Sequence, residues 1–476
     1  MLPSPPPPRK SAAAHSFRVR MSASLSTSAS QDGTAAASIL SPRYRATTLG
    51  MVALVSLGAF EALAIATAMP TVAAALDGLP LYAFAFGSTL ATSVVGMTAA
   101  GRWCDRRGPA GALWGGLACF VVGLLLAGLA VSMPMLIAGR LVQGLGAGAL
   151  SVSLYVLVGR QYPQALRPRI FAAFSAGWVV PSLIGPALSG LVVEHLGWRW
   201  VFLAVPVLAL PAAWLLRPAL ARLAPTPQAG APGHSIGWAA GAAIGVCALS
   251  MAAHPPGLRA ALVLLPALAL LLVSVWRLLP RGTLRGARGL ASVIGLRGVA
   301  AAAFFGSEAF LPLVLAQAHG LSPSRAGIAL SVGALGWFCG SWFQGHQTRL
   351  HRQTLVRVGC GLLAVGVAAT ATVAWPACPV VVAILGWACT GLGMGLLYAS
   401  LSVLTLALSP AAEQGRNSAA LQLCEAVAVA TMLAVGGAVF GALREHAPAL
   451  AHAAPFALSL GCAGLAIWLA RRTQAA

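Results

Sequence analysis

The chain has 476 residues, 59% of them hydrophobic and only 8% charged. Soluble domains carry roughly 25% charged residues, so this composition excludes an ordinary soluble enzyme or binding module and points to a polytopic membrane protein. The net charge of +21 would suit a nucleic-acid partner, but the 30 basic residues lie in short clusters between apolar runs rather than on a basic face, a spacing that suits membrane topology instead.

Residues 1–45 are rich in Pro, Ser and Ala and read as a disordered cytoplasmic tail. They have no apolar core and so do not form a secretory signal, although an Arg- and Ser-rich, acid-poor stretch also mimics a transit peptide; initiation at Met21 is an alternative start. Beyond the tail, apolar runs long enough for a helix to cross a bilayer recur at 47–72, 82–101, 110–131, 134–157, 168–192, 198–216, 236–253, 259–278, 294–316, 325–345, 355–375, 379–408, 415–441 and 453–470. The expected fold class is an all-α polytopic membrane protein with fourteen spans, twelve being the alternative. With the N-terminus inside, inside segments hold 25 of the 30 Lys and Arg, Arg297 among them, while outside loops hold only Arg199, Arg259, Arg325 and Arg444. This asymmetry is the positive-inside pattern and places both termini in the cytoplasm, with the chain in the cell (inner) membrane. The nine cysteines are scattered, with no C-x-x-C, and imply neither a disulfide framework nor a metal site.

The run from Gly139, "GRLVQGLGAGALSVSLYVLV", and the run from Gly386, "GWACTGLGMGLLYASLSVLT", share glycines at an offset of 247 residues, which also maps Arg169 to Arg416, Gly190 to Gly437 and Glu61 to Glu308. A constant offset across several spans indicates duplication. It divides the chain into a tail (1–45), an N-terminal six-helix bundle (46–217), a linker with two extra transmembrane helices (218–292) and a C-terminal six-helix bundle (293–471).

Three motifs follow one another in the first half: "GRWCDRRGPAGAL", "RLVQGLGAGA" and "GWVVPSLIGPALSG". With them the chain resembles the major facilitator superfamily, and within it the fourteen-span drug/proton antiporters, over roughly residues 46–471. The resemblance implies a conformational latch at Gly101, Asp105, Arg106 and Gly108, where an acid at a helix end pairs with arginine or a neighbouring helix N-terminus; a charged turn that only sets topology is the plain alternative. It implies tight helix packing at Gly144 and Gly146, following Arg140 and Gln143, and an antiporter motif at Gly185, Pro186 and Gly190, with Pro181 and Ser189 standing where the family often has Gly.

Only nine acids exist in the chain. Three lie within spans, Glu61, Glu308 and Glu425, where each carboxylate costs about 2.5–3.5 kcal/mol by insertion scales. Glu61 lies roughly 21 Å above the inner end of its span, and Arg140 roughly 9 Å below the outer end of its own, so the two meet at similar depth. Arg140 cannot readily shed its proton and demands a partner. The expectation is proton coupling at Glu61, Arg140 and Glu308, a static ion pair being the alternative. Trp387 replaces arginine opposite Glu308 in the repeat, which leaves Glu308 for a second proton or for substrate. Acid with aromatic residues suits a lipophilic cation, so the candidate substrate cavity comprises Gln143, Tyr155, Trp178, Glu308, Trp337, Tyr398 and Glu425, with packing or lipid-facing aromatics as the alternative.

The function these residues imply is proton-coupled export of amphipathic small molecules by alternating access, with no cofactor beyond the proton gradient, no metal, no nucleic acid, and the lipid bilayer, protons and a lipophilic solute as partners of a monomer. Proton-coupled uptake of a small organic solute, or a non-transporting sensor, are the alternatives. No P-loop and no metalloprotease pattern is present, so an enzyme is not expected.

Overall fold

A computed structural model describes residues 38–163, 166–221, 236–251, 258–346, 350–410 and 414–474; the proposed tail up to residue 37 lies outside them. The described chain is helical: α1 (Arg45–Ala75), α2 (Tyr82–Arg107), α3 (Pro109–Gly128), α4 (Met133–Gln161), α5 (Arg167–His195), α6 (Arg199–Trp214), α7 (Ile236–Met251), α8 (Leu258–Leu278), α9 (Leu290–His319), α10 (Pro323–His346), α11 (Arg352–Thr370), α12 (Val380–Ala407), α13 (Gln414–Leu443) and α14 (Pro448–Ala470). Eleven of these are long and apolar enough to cross a membrane among the described residues, while α6, α7 and the apolar part of α8 are shorter. The crossings therefore number between eleven and fourteen. The expected span 198–216 shortens to Arg199–Trp214, a helix with Pro206 and Pro211 inside it; each proline removes a backbone donor.

Local chemistry sets the helix ends. The Ser132 hydroxyl accepts from the Met135 N–H at 3.4 Å to start α4, with proline in the first turn. Gly320, at φ 65°, ends α9: its N–H reaches the Ala316 carbonyl, and the Leu321 N–H reaches back to Leu315, each at 3.1 Å. Large apolar side chains face outward, as Val180, Ile184, Leu188 and Leu191 do along one stripe of α5, the arrangement lipid requires. Arginines lie over Trp103, Trp198, Trp214, Trp276 and Trp468 at helix ends, where amphipathic rings favour the interface.

Two sets of helices, α1–α6 and α9–α14, pack in matching fashion: α4 against α2 and α3 in the first, α12 against α10 and α11 in the second. The repeated glycines sit at these crossings. A Cβ on Gly144 or Gly148 would strike the carbonyls of Thr89 or Ser93 on α2, and one on Gly391 or Gly395 would strike those of Gly333 or Trp337 on α10. Small residues let the backbones touch.

The halves meet along two seams, α5 with α10 and α13 with α2. Gly190 abuts Pro323 and Ser324, and its repeat mate Gly437 abuts Ala83. These contacts lie near the ends of α5 and α13 and the starts of α10 and α2. Hydrogen bonds that cross between the halves there include that from the Tyr82 hydroxyl to the Ala309 carbonyl at 2.6 Å and that from the Ser324 N–H to Glu194 at 3.0 Å. Helix α7 lies beside one seam, its Ala239, Ala242, Ala243 and Val246 packed among Ala91 and Val94 of α2 and Ala430 and Ala434 of α13. The extra pair α7–α8 thus borders both halves.

Tyr82→Phe removes the bond to the Ala309 carbonyl and should weaken the contact between the halves there by about 0.5–1.5 kcal/mol. Labelling rates of a cysteine introduced at Ala83, compared with and without Tyr82→Phe, read this out; a faster rate is expected.

Candidate functional site

Glu61, Arg140 and Gln143 come together in the first half. Arg140 Nη1 donates to Glu61 Oε1 at 2.6 Å and to Gln143 Oε1 at 2.7 Å, and Nε donates to the Ala85 carbonyl at 3.1 Å. One guanidinium therefore ties α4 to α1 and α2. All three side chains are buried, and a buried charge pair holds only when its remaining hydrogen-bonding capacity is met. Gln143 Nε2, buried, has no partner among the described residues.

The second half is built differently. At the repeat position of Arg140 stands Trp387, buried, stacked on Phe304 at 4.7 Å between centroids, its indole N–H on the Leu330 carbonyl at 3.3 Å. Glu308, half-buried on α9, has no hydrogen bond or ion pair among the described residues. The residue after it, Ala309, carries the carbonyl that receives Tyr82 across the halves.

Glu425 is not the free anion that a cation site would need. Arg297 Nε donates to its Oε2 at 2.8 Å, and the Tyr398 hydroxyl donates to its Oε1. Arg297 also donates through Nη1 to the Tyr398 carbonyl at 3.2 Å and lies 3.1 Å from the centroid of the Tyr398 ring. Sequence reasoning counted Arg297 with the basic residues that set topology; it stands seven residues inside α9, and the apolar stretch on either side of it was the available signal. Trp337 packs edge-on against Tyr398 at 4.8 Å. In the other half Tyr155 is half-exposed, and its ring packs with Phe171 and Phe174. Trp178 is half-exposed, seven residues before Gly185, whose position packs on Phe60; this puts both on one face of α5. Trp178 joins neither charged cluster.

The first motif occupies the α2–α3 junction. Gly108 has φ 82° there, a value that favours glycine, and Arg160 of α4 donates to the Cys104 carbonyl at 3.2 Å beside it. Arg106 is exposed, and Gly101 has open space around it. Asp105 lies in the last turns of α2, and its side chain is outside the described residues. In the third motif Gly185 and Gly190 lie where α5 meets α1 and α10, the Pro186 carbonyl abuts Gly327, and the Ser189 hydroxyl donates to the Ala64 carbonyl of α1 at 2.7 Å.

The sequence profile of the Major Facilitator Superfamily matches residues 49–433. The chain belongs to the Major Facilitator Superfamily. Among curated relatives, an uncharacterized transporter of this type from Mycobacterium tuberculosis is 36% identical over 161 residues, 33% of this chain and 23% of the relative. A probable multidrug-efflux transporter from the same species is 34% identical over 178 residues, 37% of this chain and 38% of the relative. Multidrug resistance protein 3 of Bacillus subtilis is 29% identical over 170 residues, 36% of this chain and 33% of the relative. These matches span about a third of this chain and from 23% to 38% of each relative. Among solved structures, a POT family transporter in complex with 5-aminolevulinic acid superposes with TM-score 0.66 at 15% identity, covering 90% of this chain and 96% of that one. A D-xylose-proton symporter does so with TM-score 0.63 at 16% identity, covering 90% and 98%. At such identities the likeness concerns the fold. This superfamily member is a multi-pass membrane protein, and its family is one of transporters rather than enzymes.

Proposed function

We propose that this superfamily member exports amphipathic small molecules in exchange for protons, by alternating access of the space between its halves, 46–217 and 293–471, with both termini cytoplasmic. The observation that carries the reading is the contrast among the three embedded carboxylates. Glu61 and Glu425 each pair with an arginine, and Glu308 stands without a partner among the described residues. Burial disfavours charge and a neighbouring cation favours it, so carboxylates in such different settings exchange protons as the space opens to one side or the other. The drug-exporter names among the relatives support the direction of transport. The α2–α3 latch and the glycine-lined seams supply hinges between rigid halves.

The test is proton release in everted vesicles holding the purified protein under an imposed pH gradient. Addition of a transported compound should collapse the gradient with the wild type, and Glu61→Gln should abolish the response while the protein remains monodisperse. Glu308→Gln should abolish it as well. A response unchanged in both variants would remove proton coupling from these residues.

A further inference from the structure

The Arg297–Glu425–Tyr398 cluster differs from the Arg140–Glu61 cluster in one respect that bears on what binds. The side chains of Arg140 and Glu61 are 6% and 7% exposed, those of Arg297 and Glu425 10% and 22%. The second pair is therefore the more accessible one, its carboxylate most of all. Arg297 commits Nε to Glu425 and Nη1 to the Tyr398 carbonyl and the Ser402 hydroxyl, the latter at 3.4 Å; Nη2 has no acceptor among the described residues. Tyr398 holds both partners, with its hydroxyl on Glu425 and its ring under Arg297. Trp337 borders the cluster with aromatic surface from its own half, and Tyr155, half-exposed beside Phe171 and Phe174, offers an aromatic face on the other.

Taking this space as the substrate path, as proposed above, we infer that the cluster is a substrate subsite selective for zwitterionic aromatic amphiphiles. The anionic end docks on Arg297 Nη2, the cationic end on the exposed edge of Glu425, and the ring lies between Tyr155 and Trp337. The argument is one of charge balance. Glu425 is already neutralised, so a permanent monocation gains no uncompensated anion here. On the exposed edge of Glu425 it meets a pair that is already neutral, so the repulsion of Arg297 offsets the attraction of the carboxylate, and displacing Arg297 instead would leave a guanidinium without a counter-charge, which is strongly unfavourable. A monoanion meets the mirror-image problem. A molecule with both charges exchanges one satisfied pair for two and leaves neither partner stranded, while the planar fork of arginine suits a carboxylate. The same neutral pair acts against singly charged competitors, which is how a site rejects as well as selects.

Two probes with one ring system decide this: rhodamine B, a zwitterion at neutral pH, and its ethyl ester, a permanent cation. Binding to the purified full chain in lipid nanodiscs is read by quenching of tryptophan fluorescence. The wild type should bind rhodamine B about tenfold more tightly than the ester. Arg297→Gln should erase that preference. If Arg297→Gln does not fold, Arg297→Gln with Glu425→Gln removes both charges with little change of shape and should bind the two probes equally. A wild type that binds the ester as tightly as the acid, or a preference that survives loss of Arg297, overturns the inference. The vesicle assay separates this from the transport reading. Zwitterion preference without proton release leaves the subsite standing and removes the antiport. Proton release with the ester and no zwitterion preference does the reverse.

Discussion

Arg140→Met is expected to cost about 3–5 kcal/mol of stability, the range seen when one partner of a buried ion pair is removed. The size follows from what the substitution strands. Arg140 serves three acceptors on three helices: Glu61, Gln143 and the Ala85 carbonyl. Methionine fills similar space and donates to none of them, leaving a carboxylate buried among apolar neighbours. Glu61→Gln removes the charge but leaves Arg140 its bonds to Gln143 and Ala85, and its cost should be smaller. Combining the two changes removes both charges, and the double variant should be more stable than Arg140→Met alone. Equilibrium unfolding in mixed micelles of the four proteins closes a double-mutant cycle. A coupling below about 0.5 kcal/mol would mean that the pair contributes no net stability.

The cycle bears on function as well. A pair that matters only for folding tolerates replacement by two neutral residues with transport retained; a pair that moves protons does not. The double variant thus separates the ion pair as scaffold from the ion pair as machinery, and the vesicle assay on that folded variant gives the answer.

Glu61 and Arg140 were legible in the sequence because charges are so rare in these runs. Depth along each helix follows from a fixed rise per residue, so two charges in different spans can be matched from numbering alone. The same arithmetic did not find Arg297. It lies close after Arg281, Arg285 and Arg288, and a basic residue near a basic cluster reads as a topology signal even though the expected span 294–316 contains it; α9, from Leu290, puts it seven residues inside the helix. Its partner was visible, but which face of α13 Glu425 occupies depends on how three helices pack. Trp387 shows a further limit: the repeat puts tryptophan where the first half has Arg140, yet that the indole stacks on Phe304 is a fact of packing. Gly190 and Gly437 were recognised as repeat mates. That both lie where the halves touch follows from tertiary contact, since a glycine that packs within a half and one that packs between halves look alike in sequence.

Gly391→Leu is expected to prevent assembly of the second half, and Gly391→Ala to cost about 1–3 kcal/mol, the usual price of overpacking. A Cβ at Gly391 would meet the carbonyl of Gly333 and the backbone of Trp337 on α10, and one at Gly144 would meet the Thr89 carbonyl on α2. A side-chain tip can rotate away from such a contact; a helix backbone cannot without moving its whole neighbour. In lipid the hydrophobic effect does not press helices together, so close backbone approach carries much of the packing energy, and separating α10 from α12 forfeits it along the whole crossing. Gly115 and Gly361 provide the contrast, because nothing lies within 4 Å of a Cβ built on either. Alanine there adds helix propensity without a clash and should stabilise by roughly 0.5–1 kcal/mol. The four alanine variants, at 144, 391, 115 and 361, are compared by the fraction of monodisperse protein after extraction and by midpoint of thermal unfolding. The expected result is a change of opposite sign in the two pairs. Equal destabilisation at all four positions would mean that these helices respond to any added methyl group, and that the glycine contacts between α2 and α4 and between α10 and α12 are not what holds each half together.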